Sequence, residues 1–184
     1  MKASKGGFWN LSNGLTIFRI GAIPFVVVLM VFPGKWTSFV AAFIFLLAAI
    51  SDGLDGYLAR RRNTVSNLGK LLDPLADKLL VCTALIMLIP LGRVSAWIVA
   101  VIIARELAVT TLRGVVAAQG MIIAASGLGK RKSLAQLSAT NLLILHYPYF
   151  SLDIHLFGTA LLWIALVLTV WSGIDYFARF LKKA

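Results

Sequence analysis

Residues Ser51 to Lys78 read SDGLDGYLARRRNTVSNLGKLLDPLADK and hold four of the chain's seven acidic residues inside an otherwise hydrophobic sequence. Asp52 and Asp55 stand three residues apart and Asp73 and Asp77 four, so each pair can project from one face of its own helix. Two helices would then present four carboxylates. A carboxylate at membrane depth is costly unless it is paired or bound to a cation, so the group demands a positive partner. Arg60, Lys70 and Lys78 lie within reach and would suffice for a single acid. For four at helical spacing a divalent metal is the simpler partner, because one ion takes several oxygen ligands and two ions can share bridging carboxylates. Hard oxygen donors without Cys or His favour Mg²⁺ or Mn²⁺ over zinc. Gly56 and Gly69 flank the acids, where a side chain would obstruct a phosphate-bearing ligand approaching the helix backbone. Close helix packing is the other reading of glycine there, and the two are compatible.

At 184 residues the chain has the length of one domain, 1–184, but its 60% hydrophobic content is far outside the range of soluble globular proteins. Its mean hydropathy of +0.90 says the same, and an all-α polytopic membrane protein is expected. The net charge of +11 could serve nucleic acid, yet the basic residues flank apolar spans instead of forming a hydrophilic domain. Membrane topology accounts for them, and no nucleic-acid partner is expected. The single cysteine, Cys82, sits in the apolar run LLVCTALIML, which excludes an intrachain disulfide and a cysteine metal cluster. His146 and His155 share one connecting segment far from the acids, as interfacial polar residues. Arg19 interrupts the first apolar run and no small-residue cleavage site follows, so a retained span is expected and not a signal peptide.

Six spans follow from the apolar runs: about 15–32, 36–57, 71–91, 94–118, 134–149 and 156–180. Residues 1–12, with Lys2, Lys5, Phe8, Trp9 and Leu11, suit a juxtamembrane segment on the inner face. Pro24 kinks the first span. Asp73-Pro74 suits either the start of the third helix, as N-cap and first-turn proline, or a kink in a helix already begun near Asn67. Gln136, Ser138, Thr140 and Asn141 make the fifth span the most polar and turn it towards the protein interior. Trp36, Trp97, Tyr147 and Tyr149 stand where interfacial aromatic belts are expected. With both termini cytoplasmic, 16 of the 18 Lys and Arg fall on the inner side, and only Lys35 and Arg93 fall outside. That orientation puts all four aspartates at the cytoplasmic level of the plasma (inner) membrane.

The pattern Asp52-x2-Asp55-Gly56-x2-Ala59-Arg60-x8-Gly69-x3-Asp73-x3-Asp77 resembles, at all eight fixed positions, the signature of the CDP-alcohol phosphatidyltransferases. The resemblance implies a homodimeric enzyme of phospholipid biosynthesis that binds a CDP-linked lipid or alcohol, here CDP-diacylglycerol, and two Mg²⁺ or Mn²⁺ ions, and the six spans read separately suit it. It would transfer the phosphatidyl group to an alcohol and release CMP. By the same resemblance Asp52, Asp55, Asp73 and Asp77 would ligate the metals, with Asp77 also the general base. Gly56, Ala59, Arg60 and Gly69 would line the CDP site with Asp52, Asp55 and Asp73.

Basic residues outside the motif speak to the acceptor. Arg105 lies about 12 Å, eight residues at helical rise, from Arg113 on the fourth span, deep enough to need an anion. Glu106 is adjacent, but neighbours in sequence point in different helical directions. Arg113, Lys130 and Lys132 add positive charge on the same side and suggest an acceptor that carries phosphate. The stretches ARELAVTTLR at 104–113, GKRKS at 129–133 and NGLTIFR at 13–19 resemble the bacterial branch of the family whose acceptor is sn-glycerol 3-phosphate. Ser133 departs from the threonine expected there and keeps the hydroxyl. Asn13, Thr16 and Arg19 recur every three residues and would face the nucleotide. The alternatives are the same chemistry on inositol phosphate, a cation transporter, and a structural membrane protein. A transporter would set its acids near the bilayer midplane between repeated halves, and the motif has no second copy here. Asp175 in the last span would pair with a basic side chain or belong to a subunit interface.

Overall fold

The computed structural model describes residues 11–62, 67–118, 127–149 and 152–181, with the side chains of 11–13, 15–16, 52–62 and 67–74 outside that description. The expected juxtamembrane segment lies almost wholly outside it. The regular structure among the described residues is helical, apart from an isolated bridge between Tyr149 and Leu152. Six helices follow in order: α1 (Leu11–Val31), α2 (Lys35–Arg62), α3 (Asn67–Leu88), α4 (Ala96–Ala118), α5 (Gly127–Leu145) and α6 (Ile154–Leu181). They fall into two compact units, one to Met87 and one from Leu88.

In the first unit α1 and α2 pack as an antiparallel pair. Arg19, Ala22, Val26 and Met30 form the buried stripe of α1, against Ala41, Ala42, Phe45, Ala48 and Ala49 of α2. The alanines let the backbones approach closely. Thr37 closes the connection by donating to Phe32 O at 2.7 Å. On the outer side Phe18, Gly21, Phe25, Phe43 and Leu47 line an apolar cleft of about 360 Å³. The third helix starts at Asn67, so Asp73-Pro74 lies inside it and does not begin it. Its buried face is Ala76, Leu80, Ala84, Leu85 and Leu88.

In the second unit α4 and α6 run parallel: Trp97 meets Trp163 with ring centroids 5.7 Å apart, and eight residues on Arg105 meets Ser172. Helix α5 runs antiparallel to both. At one end its Leu143 packs on Gly158, where a Cβ would come within 3.0 Å of Leu143 Cγ. At the other its Lys132 reaches Glu106 of α4. Up, down, up is the order that successive membrane crossings require. Lys132, Gln136, Ala139, Thr140, Leu143 and Ile144 are the buried residues of α5, so this polar helix does face the interior of its unit.

The limits of α5 differ from those read in the sequence. It begins at Gly127, which makes GKRKS helical, and stops at Leu145. It stops because His146 adopts φ 56°, a left-handed residue just past the helix, and Pro148 cannot continue it. Arg93, buried, donates from Nη1 to Leu143 O at 3.2 Å and Ile144 O at 2.7 Å, so it satisfies carbonyls at the end of α5 that have no helical partner. Its guanidinium lies over the Tyr147 ring, 5.7 Å from the centroid. Gly92, with φ 68°, makes the turn that delivers it. Asp153 caps α6 by accepting from Leu156 N. His146 and His155 meet through their Nδ1 atoms at 3.3 Å, so the two interfacial histidines are partners. Asp175 resolves in favour of a basic partner, Arg179, at 2.7 Å.

Among the described residues α6 is the helix long and apolar enough to cross a membrane, while 17–31 and 35–51 are shorter apolar stretches. Large apolar side chains nonetheless face outward on several helices. Trp36 is 80% exposed, Phe25, Trp171 and Ile174 66% each, which suits lipid and not water.

Two consequences can be measured. Gly158→Val has to push Leu143 and Leu142 away from α6, and overpacking of this kind costs about 1–3 kcal/mol, read as a lowered melting temperature in detergent. His146 is held below the ordinary histidine range, first by burial, then by the positive charge of Arg93 and by His155, with Asp153 opposing. The unfolded chain therefore takes up a proton on that ring before the folded one does. Stability from this source is intact above pH of about 6.5 and declines as pH falls below it, and His146→Gln should flatten the decline.

Candidate active site

The buried stripe of α4 runs Ile98, Ile102, Val109, Val116, and Arg105 stands on that line between Ile102 and Val109. Sequence periodicity thus forces a guanidinium into the α4–α6 seam. Its Nη2 donates to Ser172 Oγ at 2.8 Å, and that hydroxyl donates in turn to Thr169 O at 3.1 Å. Gly173 leaves the room: a Cβ there would lie 3.2 Å from Arg105 Cγ. Arg105 Nη1 also reaches Glu106 Oε1 at 3.4 Å. The same oxygen makes a close ion pair with Lys132, whose side chain is only 3% exposed.

One carboxylate therefore serves two cations drawn from α4 and α5. The arrangement is nearly dry, with the Arg105 and Glu106 side chains 15% and 12% exposed. Charged groups placed this deep are expensive unless they are matched. Two buried polar atoms beside it, Arg105 Nε and the Tyr176 hydroxyl, have no hydrogen-bond partner among the described residues. Arg113, one of the expected acceptor residues, lies over the Tyr176 ring at 5.7 Å. Lys130 is exposed and stands outside the buried cluster. Sequence reasoning missed Ser172 and Tyr176. The only trace they leave there is an i,i+4 spacing around Gly173 on one face of the last span.

The aspartates belong to the first unit. Asp52 and Asp55 lie on α2 and Asp73 and Asp77 on α3, and of these only Asp77 has a described side chain, half-buried between Ala76 and Leu80. The side chains of Asn13, Thr16, Gly56, Ala59, Arg60 and Gly69 lie outside the description with those of Asp52, Asp55 and Asp73. Among the described residues no cluster of three His, Cys, Asp or Glu is placed to hold a metal ion. The donor set of the motif, four carboxylates with no thiol or imidazole between 51 and 78, fits a hard divalent cation. Arg19 is fully buried on α1, where Nε donates to Ala48 O at 3.3 Å, one helical turn before Asp52.

The model of the CDP-alcohol phosphatidyltransferase family matches residues 9–171, which include the whole aspartate motif and the α4–α5 cations. The chain belongs to that family. It is 43% identical over 183 residues to the CDP-diacylglycerol--glycerol-3-phosphate 3-phosphatidyltransferase of Bacillus subtilis (strain 168), covering 93% of this chain and 95% of that one. The proteins of the same name from Rickettsia bellii (strain RML369-C) and Escherichia coli (strain K12) are each 39% identical, over 169 and 173 residues, covering 91% of this chain and 93% of theirs. Family membership makes the chain a phosphatidyltransferase.

Glu106→Gln leaves the Lys132 ammonium facing a neutral amide. Removing one member of a buried pair costs about 3 kcal/mol, so the variant should melt well below the wild type. Glu106→Gln with Lys132→Met should recover most of that stability while activity stays low.

Proposed function

We propose that the chain transfers the phosphatidyl group of CDP-diacylglycerol to sn-glycerol 3-phosphate, giving phosphatidylglycerophosphate and CMP. The observation that carries the acceptor is the little-exposed Arg105–Glu106–Lys132 cluster, with a donor at Arg105 Nε that has no partner among the described residues. A phosphate on the acceptor supplies a net negative charge and accepts from that donor. Zwitterionic serine and neutral inositol bring no net negative charge. The names of the three relatives point to the same acceptor.

Two divalent ions, Mg²⁺ or Mn²⁺, would be held by Asp52, Asp55, Asp73 and Asp77, and when bound would neutralise charge on the pyrophosphate oxygens. Asp77 takes the proton of the acceptor's primary hydroxyl as that oxygen attacks the phosphorus bearing the diacylglycerol. The new oxygen–phosphorus bond forms as the bond to CMP breaks, and the electron pair leaves on CMP. Arg105, Arg113, Lys130 and Lys132 draw in the acceptor phosphate and orient the hydroxyl, and Lys130, being exposed, acts at the entrance. Asn13, Thr16, Arg19, Gly56, Ala59, Arg60 and Gly69 take the CDP part. Burial of Arg19 beside the α2 backbone supports its share in this.

The enzyme is read as one domain that crosses the plasma (inner) membrane six times, both termini and the aspartates on the cytoplasmic side, and as a homodimer. The apolar α6, the outward-facing aromatics and the one-sided Lys and Arg distribution support that topology.

The test is CMP release by the detergent-solubilised protein with CDP-diacylglycerol and Mg²⁺, over glycerol 3-phosphate, inositol phosphate, inositol and serine. Release is expected with glycerol 3-phosphate alone, and Asp77→Asn should lower it by at least about 100-fold. Turnover on inositol phosphate instead would overturn the acceptor assignment.

A further inference from the structure

Tyr176 lies on the buried stripe of α6, one turn beyond the Ser172 that holds Arg105, and is only 6% exposed. Its hydroxyl has no hydrogen-bond partner among the described residues. A buried hydroxyl without a partner is destabilising, and a packed helix seam would more readily accept phenylalanine. The ring itself is accounted for, since the Arg113 guanidinium rests on its face at 5.7 Å. The oxygen is not. Arg105 Nε, also buried and also without a partner, belongs to the same α4–α6 seam. Two unmatched donors beside the guanidiniums of Arg105 and Arg113 point to one kind of missing group, an anion with several oxygen acceptors.

We infer that Tyr176 is an acceptor-binding residue, its hydroxyl donating to an oxygen of the acceptor's phosphate while its ring sets the pose of Arg113. The assignment rests on the acceptor reading given above and adds a neutral donor to its cations. A phenol is suited to this place because it donates without adding charge beside the cations already there. It also discriminates: an acceptor lacking the phosphate leaves the hydroxyl, as well as the cations, unsatisfied.

Tyr176→Phe keeps the ring under Arg113 and removes only the oxygen. The variant should raise KM for glycerol 3-phosphate at least about tenfold, as loss of a hydrogen bond to a charged group does, with KM for CDP-diacylglycerol unchanged. Without ligand it should melt at or above the wild-type temperature, because an unmatched buried hydroxyl has gone, and the stabilisation that glycerol 3-phosphate gives the wild type should shrink. A ligand-free variant that melts clearly lower would mean the hydroxyl already has a partner, and would overturn the assignment. An unchanged KM for glycerol 3-phosphate, or an equal rise for both substrates, would do the same. An inactive wild type would overturn the acceptor reading beneath it, whereas an active wild type with an indistinguishable variant would sink the Tyr176 assignment alone.

Discussion

One glutamate oxygen ties the second unit together. Glu106 Oε1 accepts from Lys132 on α5 and from Arg105 on its own helix, and Arg105 extends the chain of contacts to Ser172 on α6. In water such a contact would be nearly neutral in energy. In a seam where these side chains are at most 15% exposed, it dictates how three helices are rotated about their axes, because any other rotation buries a charge without a partner. The small residues follow from this. Gly173 exists to let the Arg105 stem pass, and Ser172 is short enough to accept from it while donating to its own helix.

The opposite end of the same unit uses a related device with a different chemistry. Arg93 supplies positive charge and two donors to the end of α5, where the carbonyls and the helix dipole both favour a cation. It thereby does what a glycine cap alone would leave undone. His146 accepts the left-handed conformation that ends the helix and stays neutral beside the arginine, held by His155. Arg93 was one of two basic residues that counted against the inner-side bias. Its burial gives it a structural reason to be there.

The helices were legible in the sequence because apolar runs of about twenty residues, broken by Pro-Gly or by clustered charge, admit little else. Their ends were less so. The stop of α5 at Leu145 depends on the backbone angle of His146 and on Arg93, a residue more than fifty positions away, and neither leaves a local mark. The start of α3 at Asn67 was open because Asp73-Pro74 serves equally well inside a helix. Of the cluster, Arg105 could be named because a cation at depth is conspicuous, and Lys132 because it belongs to the basic run GKRKS on the same side. Glu106 was discounted by the rule that sequence neighbours diverge, and the rule failed because arginine is long enough to fold back while the carboxylate turns towards α5. Ser172 and Tyr176 carry no charge, and serine or tyrosine in a membrane helix is ordinary until its surroundings are known.

A preformed set of cations is also what an enzyme acting on a phosphorylated alcohol needs. With one carboxylate between guanidinium and ammonium, the protein holds both in place and leaves Arg105 Nε without a partner among the described residues. On the proposed assignment an incoming phosphate would meet groups whose order is already fixed, and binding would be spent on orientation instead of rearrangement. Helix packing keeps the cluster from collapsing: the α5–α6 contact at Gly158 and the stacked Trp97 and Trp163 are apolar, distant along their helices from the charges, and independent of whether the anion is bound.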